Sequence, residues 1–220
     1  MSDESASVSI PIPLPQKHVF RYQAADDILE LLYRNPHEEF RITQLRKITG
    51  HGGKSVDNAI QILNSLNLIN QAREGRHSLI QINREQIQKP DDPFLEIPQE
   101  EFQDPVKTFT DQIKDNQGDN LVGVLVFGST ARGTADRTSD IDIQVIVEND
   151  LLQSRRNIQE IRQQIEDTRF DGERFEFHVL VESTETAESY GEKLREIFSE
   201  AITVYSTDQL KELRQVILNG

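Results

Sequence analysis

The stretch FGSTARGTADRTSDIDI (127–143) decides how this chain is read. An apolar run ends at Phe127, and Gly128-Ser129 then makes a sharp turn onto a helix N-terminus, where unpaired backbone N–H groups favour a phosphate. After ten intervening residues come Asp140 and Asp142. Their i, i+2 spacing on a strand puts both carboxylates on one face, with Ile141 and Ile143 packing behind them. Two adjacent carboxylates repel each other, and their usual reason is a hard divalent cation such as Mg²⁺, held by one or two carboxylates together with nucleotide phosphates. The Rossmann and P-loop glycine patterns are absent, so phosphate binding follows a different plan.

Working outward, LVGVLVF (121–127) and IDIQVIV (141–147) read as strands, and Glu148-Asn149-Asp150 opens a polar helix carrying Leu151, Leu152, Ile158, Ile161 and Ile165. A third strand is expected at RFEFHVLV (174–181), with Arg174, Glu176 and His178 on one face and Phe175, Phe177 and Val179 on the other. A helix near 184–199 follows, then a strand at 202–205. The terminal helix is capped by Ser206 or Thr207 and carries Leu210, Leu213, Val216 and Ile217. With a helix over about 99–116 in front, strands and helices alternate, which makes residues 100–220 a small α/β domain.

The other half reads differently. IPIPLP (10–15) is extended and belongs to an arm over 1–19. Ile28, Leu29, Leu31 and Leu32 recur at helical spacing up to Asn35-Pro36. Thr43 caps a second helix with Leu45 and Ile48, and the GHGG turn (50–53) leads to a third from about Ser55 with Val56, Ile60, Leu63 and Leu66 on one face. Strands at 68–73 and 77–83 meet at Glu74-Gly75. Three helices and a hairpin over 20–88 look like a winged helix-turn-helix. Its cations Arg41, Arg46, Lys47, Lys54, Arg73 and Arg76 gather where DNA phosphates would be met. Ser55, Asp57, Asn58 and Gln61 on the third helix are the base-reading candidates. A protein-interaction module is the competing reading. Pro90, Pro93 and Pro98 among acidic residues mark 89–99 as a linker.

The formal charge of −14 in 220 residues argues against nucleic-acid binding unless positive charge is gathered in one place. Residues 17–89 carry eleven Lys and Arg against eight Asp and Glu, whereas 90–220 carry thirteen against twenty-eight, so the two halves suit different partners. Sixteen Arg to eight Lys with abundant carboxylates fits hydration in high salt, and general acidity fits equally well. No Cys excludes disulfides, thiolate catalysis and cysteine-based metal sites. The five histidines are too scattered for a zinc site. MSDESASVSI (1–10) lacks the basic and apolar pattern of a secretory signal, and no apolar run approaches membrane-helix length, so a cytoplasmic protein with no membrane partner is expected.

Gly128-Ser129, ten residues, then Asp140-Ile141-Asp142, with Ala131-Arg132-Gly133 and Ser139 between, resembles the signature of the DNA polymerase beta-like nucleotidyltransferase superfamily, close to its minimal, MNT-type branch. The resemblance covers roughly residues 100–205. It implies transfer of a nucleoside monophosphate from an NTP, ATP first among the candidates, to an acceptor hydroxyl with two Mg²⁺ ions. The expected fold is therefore α/β (α+β): an N-terminal winged helix-turn-helix followed by a small mixed-sheet nucleotidyltransferase domain.

Carried over residue by residue, the resemblance gives Gly128 and Ser129 to the phosphates, with Arg132 and Ser139 as further nucleotide contacts. It gives Asp140 and Asp142 to the metals. Glu176 is the candidate third carboxylate and base, a departure from the family's commoner Asp, and His178 is its substitute or assistant. MNT-like proteins act beside HEPN-type toxins that they nucleotidylate, so a protein acceptor of that kind is implied. Operon control through the DNA-binding domain, by a homodimer on paired half-sites, is implied by analogy. The alternative is a transcription regulator whose nucleotidyltransferase domain senses nucleotide or binds a partner without turnover; transfer to an antibiotic or a tRNA end needs an acceptor pocket the sequence does not reveal.

Overall fold

The apolar spacing that predicts the first helix builds it. In the computed structural model, which describes residues 10–14, 19–75, 77–87, 89–189 and 191–219, α1 spans Gln23–Arg34 and buries Ile28, Leu29, Leu31 and Leu32. It ends at Asn35, whose Nδ2 donates to Leu31 O at 2.8 Å. A two-residue strand β1 (Phe40–Arg41) was not expected, since so short a segment has no period to read. Helix α2 (Ile42–Thr49) corrects the expected Thr43 cap. The N-cap is Arg41, because its backbone N–H donates to Gln44 Oε1 three residues on, at 2.6 Å. Gly50, at φ +69°, ends α2 in the left-handed conformation that glycine tolerates. Helix α3 (Gly53–Ser65) starts two residues before the expected Ser55. Strands β2 (Ile69–Glu74) and β3 (His77–Ile82) form the expected hairpin, and the sheet runs β1-β3-β2, all antiparallel.

The second half opens with two 3₁₀ turns, Pro93–Glu96 and Glu100–Phe102, so the helix expected from 99 begins only at α4 (Gln103–Gln117). Strand β4 (Leu121–Phe127), the short α5 (Gly128–Arg132), β5 (Ile141–Val147) and α6 (Leu151–Glu166) follow as the sequence indicates. Strand β6 covers Phe177–Ser183 rather than 174–181. Phe170 and Glu173 exchange backbone hydrogen bonds of 2.9 Å in a tight turn, and the chain reaches the ladder only afterwards. The helix expected over 184–199 is described as α7 (Thr184–Ser189) and α8 (Gly191–Glu200), on either side of Tyr190, which lies outside the described residues. β7 (Ile202–Ser206) and α9 (Asp208–Asn219) complete the chain. The sheet order is β6-β5-β4-β7, with β5 and β6 parallel and the other pairs antiparallel, so the sheet is mixed.

One face of this sheet is covered by α4 and α6: Phe109, Ile113, Ile158 and Ile165 pack on Val124, Val126, Ile143 and Val145. The other face carries Val122, Leu125 and Ile146, and there α8 and α9 share one continuous core with α1 and α3, through Phe198, Leu194 and Leu213 against Ile28, Leu32 and Leu63. The helical unit and the mixed sheet are thus joined by apolar packing. Polar ties reinforce the junction. Asn35 Nδ2 donates to Phe198 O at 3.2 Å, and Arg34, with a side chain only 4% exposed, donates from Nη2 to Ala131 O at 3.2 Å. Glu96, from the proline-rich 89–99 segment, lies 3.8 Å from Arg34 and 3.1 Å from Lys89. Burial, aided by Glu96, pushes the neighbouring Tyr33 hydroxyl up to about 12. Of the expected arm, residues 10–14 and 19 are described; Leu14 N–H donates to Glu30 Oε1 at 2.8 Å and Ile12 packs on the shared core. Among the described residues no helix is long and apolar enough to cross a membrane.

Because Phe198 is fully buried where α1, α8 and α9 meet, Phe198→Ala is expected to cost about 3–5 kcal/mol. Chemical denaturation followed by circular dichroism should show the loss within a single transition of the whole chain; two separated transitions would contradict a shared core.

Candidate active site

Alternation along β5 decides which side the chemistry lies on. Ile141, Ile143, Val145 and Val147 all point into the core beneath α4 and α6. Asp142, Gln144 and Ile146 therefore face the other way, toward α5 and α8. Gly128 opens α5 directly against Asp142. Its φ of +68° already favours glycine, and a Cβ built there would overlap the Asp142 carboxylate. The Gly-Ser turn and the Asp-x-Asp strand, ten residues apart in sequence, are thus in van der Waals contact, as the pairing of Phe127 with Asp142 across β4 and β5 requires.

The connection between them is built to present Asp140. Asp136 Oδ1 accepts from Thr138 N (2.9 Å), Thr138 Oγ1 (2.8 Å) and Ser139 Oγ (3.1 Å), while Asp136 N–H donates to Ser139 Oγ at 3.0 Å. Those donors hold the Asp136 carboxyl below its usual range. Ser139, expected to touch nucleotide, is engaged in this turn. Asp136 carries no functional signal in the sequence, although Asp-x-Thr-Ser is a readable Asx-turn pattern. Asp140 leaves the turn exposed and enters β5.

The parallel register of β5 and β6 sets Asp142 opposite His178. His178 Nδ1 and Asp142 Oδ1 lie 2.8 Å apart. Glu176 stands two residues earlier, exposed and just outside β6, its carbonyl accepting from Ile141 N–H at 2.9 Å. Phe175 and Phe177 turn into the core, so Glu176 and His178 share the outer face as expected. The residue brought to Asp142 is nonetheless the histidine. Among the described residues no three His, Asp or Glu side chains converge closely enough to hold a metal by themselves.

Arg132 and Gly128 converge on a residue that no sequence signal indicated. Glu200, the last residue of α8, accepts from Gly128 N–H through Oε1 (3.3 Å) and from Arg132 Nη1 through Oε2 (2.7 Å). It lies 68 residues beyond Arg132, so only the tertiary fold brings it here.

In the helical unit, Arg41, Lys47, Lys54 and Arg73 are exposed, while Ser55 and Asn58 are half-buried on α3. Arg46 differs: its Nη2 donates to Asp57 Oδ1 at 3.1 Å, tying α2 to α3, and its guanidinium lies where a side chain on Gly53 would collide. Arg76 lies outside the described residues.

Residues 110–210 match the family model described as "Polymerase beta, Nucleotidyltransferase". A 41-residue stretch is 46% identical to a Methanocaldococcus jannaschii protein provisionally named a protein adenylyltransferase; it covers 19% of this chain and 28% of that protein's length. Two solved structures are similar at 19% identity. One is a crystal structure of a toxin–antitoxin with AMP-PNP (TM-score 0.34; 51% of this chain and 83% of that one), the other a provisionally assigned nucleotidyltransferase from Sulfolobus solfataricus (TM-score 0.32; 56% and 94%).

A methyl at position 128 has to push Asp142 aside and hold a left-handed backbone. Gly128→Ala is therefore expected to destabilise the fold by about 1–3 kcal/mol. It should also shift the His178 ring signals in a proton–nitrogen NMR spectrum; unchanged signals would mean that Asp142 is not held by this contact.

Proposed function

We propose that the polymerase-beta-type nucleotidyltransferase domain of residues 110–210 transfers a nucleoside monophosphate from an NTP, ATP first among the candidates, to an acceptor hydroxyl. The observation that carries this reading is the direct contact between the Gly128 turn and Asp142, which sets phosphate-binding backbone beside a carboxylate pair. Gly128 and Ser129 bind the terminal phosphates with Arg132 beside them, and the Asp136 turn, with Ser139, holds Asp140 in position. Asp140 and Asp142 supply only oxygen, the donor that suits Mg²⁺, an ion that binds through one or two carboxylates plus substrate phosphates. They would hold it as it arrives with the nucleotide, and Glu176 is the remaining oxygen donor for a second ion. Bound there, the metal would offset charge developing on the phosphates.

In the transfer step a bond forms between the acceptor oxygen and the α-phosphorus, the bond from that phosphorus to the bridging oxygen breaks, and pyrophosphate leaves. Glu176, exposed on the open side of the sheet, takes the hydroxyl proton. A protein hydroxyl is the acceptor we favour, in keeping with the adenylyltransferase name of the partial relative, and a HEPN-type toxin is the partner that the resemblance implies. The helical unit is read as a winged helix-turn-helix that binds DNA, as a dimer on paired half-sites. Its exposed Arg41, Lys47, Lys54 and Arg73 support that reading. A second reading, a regulator that senses nucleotide without turnover, draws on the register that gives Asp142 a histidine neighbour in place of a carboxylate.

Calorimetric titration of each NTP with Mg²⁺ into wild type and Asp140→Asn/Asp142→Asn tests the first part. Saturable binding that is lost in the double variant, with NMP found on a co-encoded protein by mass spectrometry, is the expected result. Folded wild type that binds none of the four would overturn the enzyme and the nucleotide sensor together. For the helical unit, Lys54→Ala is expected to weaken DNA binding across sequences and lower the slope of log affinity against log salt by about one, measured by fluorescence anisotropy. An unchanged slope counts against a phosphate contact there.

A further inference from the structure

We propose that Glu200 is an internal competitor for nucleotide, a carboxylate seated on the groups that the terminal phosphates require; this rests on the nucleotidyltransferase reading. Two donors meet on its two oxygens: Gly128 N–H on Oε1 at 3.3 Å and Arg132 Nη1 on Oε2 at 2.7 Å. A backbone N–H at a glycine turn and a guanidinium are the donors an anionic phosphate oxygen would take, and a carboxylate satisfies them in the same way. With Glu200 in place, a triphosphate meets occupied donors and a like charge beside them.

The surroundings fix how the competitor moves. Phe198 is fully buried and Ala201 is 1% exposed, so the backbone on either side of Glu200 is locked into the core. Phe198 O also receives Asn35 Nδ2 from the end of α1. Glu200 itself is 36% exposed and Arg132 51%, so both side chains reach solvent. Release is a rotation of one side chain, with α8 stationary. The cleft beside it, about 200 Å³ and lined by Glu30, Arg34, Ala131, Arg132 and Glu200 among others, gives the displaced carboxylate room. The contact works as a threshold: nucleotide binds only when its phosphates outcompete a group already present, and an empty site keeps Arg132 paired instead of bare.

Exposed ion pairs are weak, so the effect is modest in size. Glu200→Gln keeps the shape and removes the charge, and we expect it to tighten binding of Mg²⁺–ATP and of inorganic triphosphate by about tenfold, roughly 1.4 kcal/mol. Glu200→Ala should act in the same direction. Glu192→Gln, exposed near the opposite end of α8, controls for the loss of one negative charge from an acidic protein. Calorimetry on the full-length protein reads all four. Tightening in both Glu200 variants and not in Glu192→Gln supports the proposal. Equal affinities for wild type and the Glu200 variants, or equal tightening in Glu192→Gln, overturn it while leaving the nucleotide site intact. If folded wild type binds neither probe nor any of the other three NTPs, the nucleotidyltransferase reading falls and the competitor falls with it.

Discussion

The site depends on one steric fact: nothing larger than hydrogen fits on the α-carbon of residue 128. The turn there is left-handed, and the Asp142 carboxylate occupies the space that a side chain would need. Because Asp142 is held at that distance by the β4–β5 ladder, the turn has no freedom to recede. The carboxylate that would share a cation and the backbone that would bind a phosphate are thus kept in contact by hydrogen bonds of the sheet, and need not be drawn together by a ligand. Preorganisation of this kind asks no rearrangement of the turn or of strand β5 when charge arrives.

Charge balance follows from that closeness. Asp142 lies against the Gly128 turn on one side and His178 on the other, so each flank of the carboxylate faces a polar group. The α5 turn, whose Gly128 N–H points outward, is in turn quieted by Glu200, and Ala131 O, one turn later, is taken by the buried Arg34. Two ends of a five-residue helix are therefore bonded to residues from α8 and α1. So short a helix has almost no internal ladder to hold its shape. Its geometry is a property of its neighbours.

The sequence was informative where one local pattern governs and silent where distant segments meet. Strands β4 and β5 coincide with the apolar runs at 121–127 and 141–147 because both are long and flanked by polar turns, and the Gly-Ser and Asp-x-Asp placements follow from them. Helix starts were less accurate. Thr43 looked like the cap of α2, yet Gln44 reaching back to the Arg41 N–H moved the start forward by two residues. Periodicity places the start of strand β6 three residues early because alternation in Arg174–Phe177 continues the period of the true strand, while the Phe170–Glu173 turn, which delays its entry, leaves no mark in the periodicity. Alternation did place Glu176 and His178 on one face; only the inter-strand register could say which of them stands opposite Asp142. Glu200 had no legible signal at all, since an acidic residue at the end of an amphipathic helix is ordinary until the fold sets it over α5.

The same logic bears on how the two halves of the chain relate. The sequence marks 89–99 as a linker from its prolines and acidic residues, and a linker of that composition ordinarily separates units. Here Glu96 sits within 3.8 Å of Arg34, itself almost fully buried, and Lys89 lies on the other side of the carboxylate. A guanidinium taken out of water must be compensated nearby, and here the Ala131 carbonyl and Glu96 do so, with the Glu30 and Glu200 carboxylates and the Tyr33 ring also close. Separating the helical unit from the sheet would expose the shared apolar surface around Leu32 and Phe198, break the Arg34 and Asn35 ties, and strand Glu96 beside Lys89 alone. The segment thus fastens the junction. Through Arg34 and the Ala131 carbonyl, the short helix that Gly128 opens is braced by the same helix that anchors the N-terminal unit.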